Sequence, residues 1–163
     1  METQATRQYL TFFLSGLELG LDICEVTQII EHVTPTRVPH LPPVIRGVVN
    51  LRGSVVPVVD LAVKLGLAVE PITKRSCMVI VETEGSGRLA ILADSVHEVI
   101  YLAAADVLPA PEFGVKVRAE YLLGLGKVGD KLVLVIDSKR LLSKEELLAA
   151  AAAPLVEPAE ASA

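Results

Sequence analysis

The sequence predicts a mainly β fold built from two copies of one small unit, followed by a short C-terminal helix. Three observations carry this: an internal repeat, short strands separated by turn signals, and an alanine-rich run behind a capping pattern. An offset of 70 sets Tyr9 against Val79 and brings Leu19, Leu21 and Val26 onto Leu89, Ile91 and Val96. After an insertion in the second copy the offset becomes 77, so that Gly47 meets Gly124, Val58-Val59-Asp60 meets Val135-Ile136-Asp137 and Leu65 meets Leu142. Two copies are fewer than the three or so that a solenoid needs, so the chain reads as a duplicated domain with copies at 8–78 and 79–143.

Each copy opens with a hairpin. Leu10–Leu14 turns at Ser15-Gly16 into Leu17–Leu21, whose alternation buries its leucines, and Cys77–Glu82 turns at Gly85-Ser86-Gly87 into Arg88–Leu92. A helical turn or two is expected after each hairpin, capped by Asp22 (with Glu25 three residues on) in the first copy and by Asp94 in the second. Pro35, Pro39, Pro42 and Pro43, and then Pro109 and Pro111, exclude regular structure from the connections that follow. A second hairpin ends each copy, Val44–Leu51 with Ser54–Leu61 and Leu122–Val128 with Lys131–Ile136. Short strands at such spacing indicate barrels or sandwiches. Beyond them, Ser143-Lys144-Glu145-Glu146 is a capping box before a helix over 144–153; Pro154 stops it, and the Ala-, Glu- and Pro-rich residues from 157 read as a disordered tail.

Of 163 residues 52% are apolar but only 4% aromatic, with no Trp, so Val, Leu, Ile and Ala must fill the core. A net charge of −5 without a basic cluster argues against nucleic acid. The N-terminus lacks the basic start and apolar run of a signal peptide, and the apolar stretch from Val44 to Leu61 is interrupted by Arg46, Asn50 and Arg52. A cytoplasmic protein without direct membrane insertion is expected, its two cysteines, Cys24 and Cys77, reduced and structural.

Motifs of catalysis find no foothold. Gly124-Leu125-Gly126-Lys127-Val128-Gly129 has dinucleotide-binding spacing, but that fingerprint requires a helix after the glycines, and Leu132–Ile136 is a strand. Its glycines serve a tight turn and close strand packing. The recurring aspartates, Asp22, Asp60, Asp94 and Asp137, stand where strands end or helical turns begin, so capping outweighs a catalytic pair. His32, His40 and His97 show no metal-ligand spacing, and no serine sits in a nucleophile elbow. No catalytic residue, metal or cofactor is expected.

Arg52 and Pro57 distinguish the copies. The hairpin turn is Arg52-Gly53 after Asn50 in the first copy and Gly129-Asp130 in the second. An arginine on a rigid turn is either a solvated charge or a preorganised docking group. Pro57 stands where the second copy has Leu134, and since proline donates nothing to a ladder it puts that strand at an edge or marks a bulge.

The run Ile45-Arg46-Gly47-Val48-Val49-Asn50-Leu51-Arg52-Gly53 through Val58-Val59-Asp60-Leu61, then Pro109-Ala110-Pro111-Glu112-Phe113 and Glu120–Gly126, resembles the CheW-like family of chemotaxis coupling proteins. The resemblance covers residues 8–143. It implies two five-stranded Greek-key barrels that exchange strands, and a scaffold, monomeric alone, that joins the cytoplasmic tip of a chemoreceptor to the regulatory domain of the histidine kinase CheA in membrane-associated arrays. By position it implies receptor contact at Val26, Gln28, Asn50, Arg52 and Gly53, with Gln28 where the family has an acidic residue, and kinase or ring contact at Glu112 and Phe113. Phe113 has a second reading as packing beneath the proline loop. The alternatives are an adaptor of a pilus-type or developmental chemosensory pathway and, from another class, a small nucleotide-binding or enzymatic domain.

Overall fold

The structure, a computed structural model, describes residues 6–83, 87–109 and 121–141. The first copy forms β1 (Thr6–Leu14), β2 (Leu17–Asp22), β3 (Val26–Glu31), β4 (Ile45–Leu51), β5 (Ser54–Val59) and helix α1 (Leu61–Leu65). The second forms β6 (Cys77–Thr83), β7 (Gly87–Ala93), β8 (Ser95–Ala103), β9 (Val107–Leu108), β10 (Leu122–Val128) and β11 (Lys131–Ile136). Two sheets result, ordered β8-β1-β2-β11-β10-β9 and β3-β6-β7-β5-β4. The β1–β2 hairpin of the first copy thus lies among strands of the second, and the β6–β7 hairpin of the second lies among strands of the first. Pairing is antiparallel except where β11 meets β2 and β5 meets β7.

Each sheet curls back on itself. In the five-stranded sheet Ile30 of β3 and Val49 of β4, from opposite ends of the strand order, pack in one cluster with Met78, Ile80, Val56 and Val58. A bridge between Thr36 and Val48 ties the chain leaving β3 to β4. The matching cluster of the other sheet holds Tyr9, Ile100, Leu102, Val133 and Val135. That sheet has six strands rather than the expected five because a 3-10 turn at Ala104–Asp106 splits off β9 from β8.

Between the sheets lies a third and larger apolar layer, with Leu10, Phe12, Leu19 and Leu21 from one sheet against Val79, Val81, Leu89 and Ile91 from the other. Strands β6 and β11 are therefore buried on both faces. This is why Met78-Val79-Ile80-Val81 and Val133-Leu134-Val135-Ile136 are unbroken apolar runs rather than alternating ones.

The pairing registers refine the repeat. Val99 faces Leu10 and Ile100 faces Tyr9, while Ile29 faces Val79 and Ile30 faces Met78. The structural partner of Tyr9 is Met78, not Val79: three residues link Thr83 to Gly87 where two link Leu14 to Leu17, so the first strand slips by one. A slip of one residue would otherwise turn every side chain of the strand to the wrong face.

Other expectations need correction. Asp22 does cap a helical turn, accepting from the Cys24 N–H at 2.9 Å, but that turn is only Ile23–Glu25 and leads into β3. No helical turn follows Asp94; β8 begins at once, and the Asp94 carboxylate instead accepts from the Ser15 N–H at 2.8 Å. The strand expected to reach Leu61 ends at Val59, because Asp60 caps α1 there and Gly66 closes it in the left-handed conformation (φ 80°). Pro57 lies neither on an edge strand nor at a bulge. β5 sits between β7 and β4, and the register shift of that hairpin falls between Ile45 and Gly47. Proline shows itself in pairing with β7, which covers only Val58 and Val59; the rung equivalent to Leu134–Leu19 is absent. The helix expected at 144–153 and the tail lie outside the described residues.

Gly47 and Gly124, equivalent in the repeat, share a steric cause. A Cβ on Gly47 would lie 2.4 Å from the Thr36 carbonyl oxygen, and one on Gly124 the same distance from that of Leu108. Gly47→Ala and Gly124→Ala are each expected to lower the unfolding free energy by about 2–3 kcal/mol in urea titration, as overpacking against backbone does. A loss below about 0.5 kcal/mol, the range of ordinary surface changes, would show that the crossing strands relax freely. Since each sheet draws on both copies, a polypeptide of residues 79–143 is expected not to melt cooperatively in calorimetry; a sharp transition would show that one copy closes its own core.

Candidate partner-docking surface

The hairpin between β4 and β5 presents the arginine singled out in the sequence. Leu51 pairs with Ser54, and the two residues between them are both left-handed, Arg52 at φ 52° and Gly53 at φ 87°. That is the primed turn whose twist suits a two-residue hairpin. Asn50 locks it: its Oδ1 accepts from the Gly53 N–H at 2.8 Å. Arg52 is exposed, and its guanidinium has no hydrogen bond or ion pair with any described residue. Left-handed geometry is costly for arginine, by about 1–2 kcal/mol, whereas the twin turn uses Gly129 (φ 59°). Asn50, Arg52 and Gly53 thus form one rigid unit.

Val26 and Gln28 form a second unit on β3. The register shifts between them, leaving Thr27 bulged, and the Thr27 Oγ donates to the Ile80 carbonyl at 3.2 Å. Val26 is half-buried against the layer between the sheets, and Gln28, also half-buried, has no side-chain hydrogen bond among the described residues. The two units lie on β3 and beyond β4, strands that end the sheet's order but whose inner residues meet in one cluster. No hydrogen bond or ion pair among the described residues joins them. Glu112 and Phe113 lie outside the described residues.

Sequence reasoning missed Ile29 and Val99. These twins in the repeat are 44% and 42% exposed, one on each sheet, and β8 and β3 had not been recognised as strands. The repeat itself was the signal, since it aligns two apolar residues within otherwise polar runs.

The glycine motif lies on β10 and its turn, between two strands. Gly124 yields to the Leu108 backbone, a Cβ on Gly126 would lie 2.6 Å from Leu102 Cδ1, and Gly129 supplies the positive φ. Asp60, 4% exposed, accepts from Arg46 Nε at 2.6 Å and caps α1 through the Val63 N–H at 3.4 Å; Asp137 caps Ser138–Arg140 through the Lys139 N–H. Arg46 and Asp60 line a cleft of about 370 Å³ together with His32, Arg37 and Ile72. Glu18, His97 and Glu98 come close enough to share a cation, and Lys131 holds that position with its ammonium 3.0 Å from Glu18 Oε1. Cys24 and Cys77 are free thiols; burial, and then the Asp94 charge, pushes the Cys77 thiol up. Among the described residues no helix is long and apolar enough to cross a membrane.

If the Arg52 conformation is maintained against local stability, Arg52→Gly is expected to raise the unfolding free energy by about 0.5–1 kcal/mol. Unchanged or lower stability in urea titration would show that the arginine holds the turn together.

With this geometry in place, comparison with known proteins is direct. The model of the CheW-like domain matches residues 8–146. The chemotaxis protein CheW of Klebsiella aerogenes is 39% identical over 144 residues, covering 86% of this chain and 84% of that protein. Protein FrzA of Myxococcus xanthus is 31% identical over 124 residues, 76% of each chain. The crystal structure of the scaffolding protein TtCheW from Thermoanaerobacter tengcongensis superposes with a TM-score of 0.79 at 29% identity, covering 89% of this chain and 93% of that one. A duplicated sequence folded into two curled sheets, with an Asn-Leu-Arg-Gly turn on the first copy and a family match spanning nearly all of the described residues, places the chain in the CheW-like domain family.

Proposed function

We propose that this chain is a non-catalytic chemotaxis scaffold that couples the cytoplasmic tip of a chemoreceptor to the regulatory domain of the histidine kinase CheA. One observation carries the reading: Arg52 is held without a partner among the described residues on a strained, Asn50-locked turn where the second copy has glycine. Strain maintained at one copy and relieved at the other is the mark of a functional position. Val26, Gln28, Asn50, Arg52 and Gly53 form the receptor side, extended by the exposed Ile29. Glu112 and Phe113 form the kinase-side or ring contact. The chain works in the cytoplasm, monomeric until it is recruited into membrane-associated arrays, and needs no cofactor.

Matches that carry both the name CheW and the name FrzA support the scaffold role more firmly than any one pathway. A pull-down with the full chain as bait identifies the receptor and kinase that it joins. Arg52→Glu is expected to weaken binding of a receptor-tip fragment by about 1–3 kcal/mol in calorimetry, the range for a desolvated interface arginine. Binding of the kinase regulatory domain and the melting temperature should stay as they are. Unchanged receptor affinity would make Arg52 an ordinary solvated charge, and equal loss of both partners would indicate a global defect.

A further inference from the structure

Charge staples three strands of the six-stranded sheet together. Lys131 Nζ, at the start of β11, lies 3.0 Å from Glu18 Oε1 on β2 and 3.2 Å from Glu98 Oε2 on β8; His97 Nε2 lies 3.4 Å from the same Glu98 oxygen. The hydrogen bond to Glu18, and then that to Glu98, outweigh partial desolvation and push the Lys131 ammonium above the ordinary lysine value. All of these charges find their partners within the chain.

The repeat carries these four positions onto Arg88 of β7, Gln28 and Thr27 of β3, and Ser54 of β5. Strand registers support the mapping. The rung Phe13–Glu18 corresponds to Glu82–Arg88, and the parallel rung Val135–Gly20 corresponds to Val58–Ala90. Arg88, Gln28 and Ser54 therefore share a face as Glu18, Glu98 and Lys131 do, the face of the cluster inside each curled sheet and at its end, but with the chemistry changed. A carboxylate becomes a guanidinium, a second carboxylate becomes an amide, and the ammonium becomes a small hydroxyl. Arg88 forms an ion pair with Glu82, but a loose one: Nε and Oε1 are 3.7 Å apart, beyond hydrogen-bond distance, and both side chains are about half exposed. Arg52 leads the turn that ends at Ser54, and it has no ion pair among the described residues.

We propose that Arg88 is a further partner-contact residue, and that the face made by Arg88, Gln28 and the Arg52 turn receives a carboxylate-bearing surface of the receptor tip. The six-stranded sheet pairs these charges within hydrogen-bond distance; the five-stranded sheet leaves Arg52 without a partner among the described residues and Arg88 with only a loose, exposed one, so both can meet acids supplied from outside. This also gives neutral Gln28 a role. An acid there would lie beside Arg88 as Glu98 lies beside Glu18, within 4.8 Å, occupying the guanidinium from within the chain and repelling the partner's carboxylates.

The inference rests on the receptor reading of this face, and the test separates the two. The full chain is titrated with a receptor-tip fragment in low and high salt, beside Arg52→Glu, Arg88→Glu, Arg88→Gln, Arg88→Lys and Gln28→Glu. Arg88→Glu is expected to lower affinity about tenfold and Gln28→Glu several-fold, while Arg88→Lys keeps most of it. Arg88→Gln should flatten the salt dependence, because one screened attraction has gone. Kinase-domain affinity and melting temperature should hold throughout. If Arg52→Glu weakens receptor binding and Arg88→Glu does not, this inference falls and the docking reading stands. If neither weakens it, both fall. A parallel loss of receptor affinity, kinase affinity and melting temperature in Arg88→Glu would make Arg88 a structural residue and overturn its contact role.

Discussion

Everything else in this molecule depends on the apolar layer between the two sheets. Phe12, Leu19 and Leu21 on one side and Val79, Val81, Leu89 and Ile91 on the other are almost wholly removed from water. Truncating one such large side chain to alanine typically costs about 2–5 kcal/mol, a large share of the stability of a domain this size. The layer sits where each copy lends its first hairpin to the other's sheet. Neither sheet can therefore shift relative to its neighbour without disturbing its own strand order. A body built this way suits a scaffold, since surface residues on different strands keep their spacing when a partner docks.

The exchange also explains which residues are small. Where one strand passes close over another's backbone, the approach leaves no room for a Cβ, and both copies answer with glycine, at Gly47 and Gly124. Glycine at such a point relieves a close contact, whereas at Gly53 and Gly129 it supplies a positive φ. The two demands fall within a few residues of one another on β10 and its turn, and they produce there a spacing that imitates a nucleotide-binding loop. The strand on the far side of the turn is what rules that imitation out.

Much of this was legible in the residues. The four hairpins, the steric use of the glycines, the capping by Asp22, Asp60 and Asp137 and the singular turn at Arg52 follow from local chemistry, and local chemistry is what sequence records best. β3 and β8 were missed because their polar residues, among them Thr27, Gln28, His97 and Glu98, break any simple alternation. Both strands carry pairing irregularities at these positions, and Thr11 illustrates the remedy: its buried hydroxyl bonds both the N–H and the carbonyl of Glu98. Such compensation comes from a strand more than eighty residues away in sequence and leaves no local trace. Pro57 was misread for a related reason. A proline is excluded only from positions where its N–H is needed, and here the parallel neighbour pairs beyond it, at Val58 and Val59.

Duplication usually leaves two equivalent surfaces, and here the clusters inside the two curled sheets have stayed equivalent while the polar residues at their ends have diverged. Met78, Ile80, Val56 and Val58 match Tyr9, Thr11, Val133 and Val135 by position, and three of the four pairs remain apolar under the same need to fill a curled sheet. In the six-stranded sheet the end of the inner cluster is closed by Lys131 between two glutamates. In the five-stranded sheet Ser54, Arg88 and Gln28 stand in place of that lysine and those glutamates, and the turn alongside bears an arginine in a conformation that glycine would adopt more easily. Close pairing at one site and strain at the other make the two ends differ: the five-stranded sheet presents Arg52 without an ion pair among the described residues, while the six-stranded sheet holds Lys131 between two acids.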